Sequence, residues 1–199
     1  MRKVLVAVPI LAALVLCCAG NAYADLTGST VTSQYYAYGA AYNGYGSPGT
    51  FVANGTVQET FCATVCPEGF NLTITNNQID YSFFGSGGDW SASATSLSSG
   101  GLFIANGNLL TFSGVTILGV TLDGASNVPG FSATNVTFNA NNIATDWAGL
   151  TGIVPGENVI LDVTTSSTAV PEPGSLLLFG TGLAALVGIG KNRKALLLQ

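Results

Sequence analysis

Between Asp25 and Val170 the chain has no lysine, no arginine and no histidine. Its five basic residues are Arg2, Lys3, Lys191, Arg193 and Lys194, all at the two ends. Each absence removes a class of chemistry. Without histidine there is no ordinary general base and no Ser-His or Cys-His nucleophile pair. Without lysine there is no Schiff base, and without either cation nothing clamps a phosphate. Nucleic acid is excluded as a partner on the same ground, because its phosphates are held by Lys and Arg. Cysteine is scarce too. Four are present, and with Cys17 and Cys18 in the N-terminal segment only Cys62 and Cys66 remain in the body. A histidine-containing zinc site is therefore out of reach.

The body does have acids: Asp25, Glu59, Glu68, Asp80, Asp89, Asp123, Asp146, Glu157 and Asp162. Two carboxylates can hydrolyse a glycoside, but nothing in the spacing of Glu59, Glu68 and Glu157 recommends them. Acids in short β proteins sit mostly in turns as solvated charge. No catalytic residue is assigned, and the chain is expected not to be an enzyme. Oxygen ligands suffice for calcium, and 85–89 and 123–127 are acidic loops of the right general type. Neither has EF-hand spacing, so both read as turns, and no metal or cofactor is assigned.

The N-terminus is a targeting segment. Met1-Arg2-Lys3 is a charged start, Val4 to Leu16 an apolar run, and Ala22-Tyr23-Ala24 a small-x-small cleavage site. Residues 1–24 are thus expected to be a signal peptide, with Ala22 and Ala24 at its cleavage site. Lipidation at Cys17 or Cys18 would need a small residue just before the cysteine, and Leu16 is too large.

The body is rich in Thr, Ser, Asn, Gly, Val and aromatics, a composition for strands and turns. Strands are predicted at 30–38, 51–57 and 60–65, the last two divided near Gln58-Glu59. Phe70, Leu72 and Ile74 alternate, as do Ile79, Tyr81 and Phe83 beyond Asn76-Asn77, which predicts a hairpin. Residues 90–97 read as a polar strand. Residues 102–105 and 109–112 flank Asn106-Gly107, a strong hairpin signal. From Val115 the apolar parity shifts near Leu118-Gly119, which predicts a bulge. Val136 and Phe138, then Val159, Leu161 and Val163, alternate again. The fold class is all-β: an antiparallel, jelly-roll-like β-sandwich of roughly nine or ten strands over 25–163.

Cys62 and Cys66 enter an oxidising compartment, where a disulfide is the default. Along a straight strand their Cα atoms would be about 13 Å apart, whereas a disulfide spans about 5.5 Å. Either the chain turns within Ala63-Thr64-Val65, or the pair does not close locally; the local bridge is preferred. Five of the seven tyrosines, Tyr35, Tyr36, Tyr38, Tyr42 and Tyr45, crowd around Gly39, Gly44 and Gly46. Such rings either cover the core edge or stack on sugars.

The C-terminus carries the most specific pattern. Pro171 and Pro173 hold Glu172 on an extended segment at the end of a 164–174 linker. Residues 175–190 are apolar, and sixteen residues span about 24 Å as a helix, short for a bilayer core of about 30 Å but workable with its flanks. Lys191, Arg193 and Lys194 favour a cytoplasmic end for residues 191–199. One transmembrane helix at 175–190 is predicted.

These residues resemble the PEP-CTERM sorting signal, also catalogued as the C-terminal domain of some ice-binding proteins. The match lies in Val170 to Ser175, in Leu178 to Leu183 and in the basic cluster at 191–194. Ala195 to Gln199 continues past the point where such tails usually stop. The resemblance implies processing by an exosortase near Pro171-Glu172-Pro173, after transient anchoring in the inner membrane, with delivery to the cell surface or beyond. It also implies an association with extracellular polysaccharide. That makes Tyr36, Tyr38 and Tyr42 candidate glycan contacts, in a carbohydrate-binding module that is the alternative to a non-catalytic envelope or matrix protein. Thr30-Val31-Thr32 and Thr73-Ile74-Thr75 stand isolated in the sequence, without the ranks an ice face needs.

Overall fold

The computed structural model describes residues 25–44, 47–62, 68–85 and 88–167. Several expectations lie outside the described residues: the signal peptide with Ala22 and Ala24, Cys66, the motif at Pro171, Glu172 and Pro173, the apolar run 175–190, and Lys191, Arg193 and Lys194. The chain divides into two units, Met1–Thr168 and Ala169–Gln199, and all described residues belong to the first. Among the described residues no helix is long and apolar enough to cross a membrane.

Thirteen strands are found among the described residues, all paired antiparallel. They are β1 (Thr30–Ala37), β2 (Ala40–Tyr42), β3 (Gly49–Val52), β4 (Val57–Phe61), β5 (Glu68–Ile74), β6 (Gln78–Gly85), β7 (Ser96–Leu97), β8 (Phe103–Ile104), β9 (Gly107–Ser113), β10 (Val115–Leu122), β11 (Val136–Phe138), β12 (Asn142–Asp146) and β13 (Asn158–Ser167). One sheet runs β11-β12-β9-β1-β2, with β3 also on β1; the second runs β10-β13-β6-β5-β4. The fold is sandwich-like, as the alternation predicts. Consecutive β4, β5 and β6 stay in one sheet as a meander, which is not the sheet-to-sheet alternation of a jelly roll. The strands β7 and β8 pair only with each other.

The inner faces share one core. Val31 and Tyr35 of β1, Leu110 and Phe112 of β9 and Ile143 of β12 bury against Phe61, Phe70, Leu72, Ile74, Ile79, Tyr81, Phe83, Val159, Leu161 and Val163 of the second sheet. Aromatic rings are the centre of it. Tyr35 stacks on Phe61 at 4.2 Å, and Phe61 on Phe70 at 5.2 Å. Trp147 is fully buried, edge-on to Tyr81 and Phe83 at 5.0 and 5.3 Å. A smaller cluster of Tyr36, Ile104, Leu109 and Ala144 lies outside the first sheet.

Several sequence expectations are corrected. The break between the second and third strands falls at 53–56, not at Gln58-Glu59. Asn54 Oδ1 accepts hydrogen bonds from Thr56 N and Gln58 Nε2 at 3.0 and 2.6 Å, which fixes a turn where the chain passes from one sheet to the other. The disturbance at Gln58 is instead a register shift within β4. There the Gln58 side-chain carbonyl accepts from Ile74 N at 2.7 Å, replacing a ladder bond. The 90–97 strand shrinks to Ser96–Leu97 because Trp90 N donates to Leu150 O at 2.8 Å and draws that stretch onto the 147–150 loop.

Asn106-Gly107 makes no hairpin. The Asn106 side chain accepts from Tyr35 Oη at 2.7 Å and donates to Ser91 O at 3.0 Å. Gly107 begins β9 under the Thr145 carbonyl oxygen, which would lie 2.0 Å from any Cβ. The β13 strand runs on to Ser167, so residues 164–167 pair with β10 rather than serving as linker. The 118–119 bulge is where the parity flip placed it, with Leu118 turned outward.

Trp147→Ala should cost about 3–5 kcal/mol of stability, read from urea midpoints, whereas Trp147→Phe should cost much less. Equal losses for the two would mean that ring packing is not the source of stability here.

Candidate functional site

A polar cluster sits inside the apolar core. Ser33 and Asn108 project from neighbouring strands of the first sheet and are fully buried. Asn108 Nδ2 donates to Ser33 Oγ at 2.9 Å. Thr145 of β12 is also fully buried, and its hydroxyl donates to Tyr81 Oη of the second sheet at 3.5 Å. Glu59 completes the group from β4. The register shift at Gln58 aims it: Val57 is 54% exposed, yet Glu59, two residues on, is only 8% exposed.

Glu59 has no cation to pair with, since the body contains none. Neither of its carboxyl oxygens makes a hydrogen bond of good geometry. Burial pushes its pKa above the ordinary carboxyl value, and the nearby Ser33 hydroxyl pulls it only partly back. Desolvation likewise raises the Tyr81 hydroxyl; the Thr145 bond opposes this and the Glu59 charge adds to it. Asn108 Oδ1 is a further buried acceptor without a partner. Removing a carboxylate from water in this way disfavours its charged form relative to an exposed glutamate.

Five of the other acids, Asp25, Asp89, Asp123, Asp146 and Glu157, accept from backbone N–H groups in turns and loops. Asp146 accepts from the backbone N–H groups of Ala105, Asn106 and Ala148, each at 3.0 Å. Asp89 accepts from Gly152 N, and Asp123 from Ala125 N. The 123–127 loop is thus a turn closed on its own backbone. Among the described residues no three Cys, Asp or Glu side chains gather as a metal ion would require.

The tyrosine cluster divides. Tyr36 is 4% exposed. It lies beneath the β7–β8 arm, where its hydroxyl accepts from Ser99 N at 2.8 Å. Its proposed glycan contact is therefore withdrawn: the outer face of the first sheet, on which parity places it, is covered. Tyr35 is in the core, and Tyr42 is half-buried with its ring edge-on to Tyr35. Tyr45 lies outside the described residues. Only Tyr38 points outward, 75% exposed. It occupies the two-residue loop between β1 and β2, with φ of 57° at Tyr38 and 79° at Gly39. Such loops favour Asn-Gly, and a bulky side chain at positive φ is strained.

Cys62 is disulfide-bonded, and its φ of 62° turns the chain at the end of β4. The nominated partner, Cys66, is outside the described residues. Sequence reasoning missed Ser33, Asn108 and Thr145 as members of a site. Each occupies an inward position in a strand pattern, where a small polar residue among apolar ones is the available signal.

Residues 169–194 match the family model of the PEP-CTERM protein-sorting motif. The chain therefore carries a PEP-CTERM sorting signal, which implies export, a membrane-anchored precursor and processing by an exosortase. No curated protein matches the chain, and no solved structure matches it.

Because Glu59 binds its proton more tightly when folded, its contribution to stability is full below the ordinary value of 4.5 and is lost as pH rises through the raised folded pKa. Glu59→Gln should remove that part of the decline. The urea midpoint of the variant should therefore fall less than that of the wild type between pH 4.5 and neutrality, whatever the offset between the two curves. Parallel pH curves would show that Glu59 is not the titrating group.

Proposed function

We propose that the chain is an envelope or extracellular-matrix protein. An exosortase acts on its anchored precursor, and its non-catalytic β domain is delivered to the cell surface or the surrounding matrix. The observation that carries this reading is the sorting motif at 169–194. The composition of the body supports the second half: nine acids and no base leave few routes to catalysis. Glu172→Ala should leave uncleaved precursor in the membrane fraction, detected by immunoblot. Normal processing of that variant would show that Pro171-Glu172-Pro173 is not what the exosortase recognises.

A second reading, a module for extracellular polysaccharide, is favoured by one observation. Tyr38 accepts backbone strain while holding its ring in solvent, and strained residues gather at binding sites. Stacking on a sugar face would use that ring. Tyr38→Asn suits the turn better and should hold or raise stability by about 1 kcal/mol. Under this reading it should also abolish retention on the producing organism's polysaccharide. Retention equal to wild type would leave Tyr38 as a turn residue only.

A further inference from the structure

The Ser33 hydroxyl has an unusual setting. One side faces the Asn108 amide, 2.9 Å away. The other faces the Glu59 carboxyl, which arrives from the opposite sheet and is close enough to Ser33 for the hydroxyl to act on its pKa. Ser33 and Asn108 have no solvent exposure at all. Three polar atoms of the group, Asn108 Oδ1 and both Glu59 oxygens, are buried without hydrogen-bond partners. Nucleophile, carbonyl and proton carrier are thus held together in a dry, aromatic-lined core, and the turn and loop contacts that satisfy the other acids do not reach them.

We infer that Ser33 and Asn108 close an intramolecular ester in the folded core, with Glu59 as the proton carrier. Asn108 Cγ lies one C–N bond beyond the nitrogen that Ser33 Oγ already touches. In the hydrogen bond the hydroxyl lies in the plane of the amide, so attack needs the Asn108 side chain to turn its carbonyl face to Ser33 Oγ, with no diffusion of either group. In the step, Ser33 Oγ forms a bond to Asn108 Cγ. The Ser33 proton passes to one oxygen of the neutral Glu59 carboxyl, while the other oxygen gives its proton to the amide nitrogen. The Cγ–Nδ2 bond breaks and ammonia leaves. Glu59 ends as the neutral acid it was, nothing is oxidised or reduced, and no co-reactant is consumed. Exclusion of water protects the ester from hydrolysis.

The cross-link would join β1 to β9 across 75 residues of sequence. That suits a domain destined for the outside of a cell, which has no ion pair available to its body and a single bonded cysteine among its described residues. Hydroxyl groups elsewhere in the core are placed differently: Thr145 and Tyr81 bond to each other.

The test is peptide mass spectrometry on the exported protein as isolated, reduced, unfolded and cut at its acidic residues. The peptides containing Ser33 and Asn108 should travel as one species, lighter than their sum by one ammonia. Hydroxylamine should separate them. Glu59→Gln should keep the fold by circular dichroism yet give the two peptides apart, and Ser33→Ala should lose the joined species. Recovery of the wild-type peptides apart, each at full mass, would overturn the inference, and this needs no variant to fold. A joined species at wild-type yield in Glu59→Gln would overturn the role given to Glu59.

Discussion

A folded body with no cation must satisfy every carboxylate with N–H or O–H donors, or keep it protonated. Most of the acids take the first course. Asp25, Asp89, Asp123, Asp146 and Glu157 accept from backbone N–H groups in turns and loops, and Asp162 accepts from the Gln78 side chain at 2.9 Å. These bonds tie connections down. Asp146, for instance, pins 105–106 against β12, and with them the start of β9. Glu59 lacks such donors, and burial raises its pKa; half-buried Asp80 is raised by desolvation too, with one oxygen unpartnered. What electrostatics cannot supply, apolar burial does: the stacked rings between the sheets hold the two layers together.

The sandwich was legible where neighbours in sequence are neighbours in the structure. Phe70, Leu72 and Ile74 and their partners Ile79, Tyr81 and Phe83 declare both the strand period and the hairpin, because the short 76–77 turn leaves them paired face to face. The parity flip at 118–119 was readable for the same reason. Misreadings arose where long-range bonds outrank local preference. Asn106-Gly107 has ideal hairpin chemistry, but a tyrosine hydroxyl from β1 and a serine carbonyl claim its side chain. The threonines are isolated along the chain, yet register lines up Thr50, Thr32 and Thr111 with Asn142 across four strands. One such rank is not an array, but no sequence window contains it.

The candidate site was less legible still. Glu59 was visible only as one of three glutamates with uninformative spacing. Its inward aim depends on a bulge, and its companions come from β1, β6, β9 and β12, brought together only by the stacking of two sheets. The sorting signal was the opposite case. It is contiguous and read by an enzyme as a linear segment, so its chemistry is in its order. The chain thus keeps its cations for its two ends and leaves them out of the body.

The placement of β13 bears on how the domain would behave under load. The strand that leads into the C-terminal segment is not at a sheet edge: residues 161–167 lie along β10, and 158–162 along β6. Tension entering from the C-terminal side would meet residues 163–167 first, held by the ladder with β10, and then residues 158–162, held by the ladder with β6. A pull on the tail would therefore have to break two ladders in turn before the strand came free.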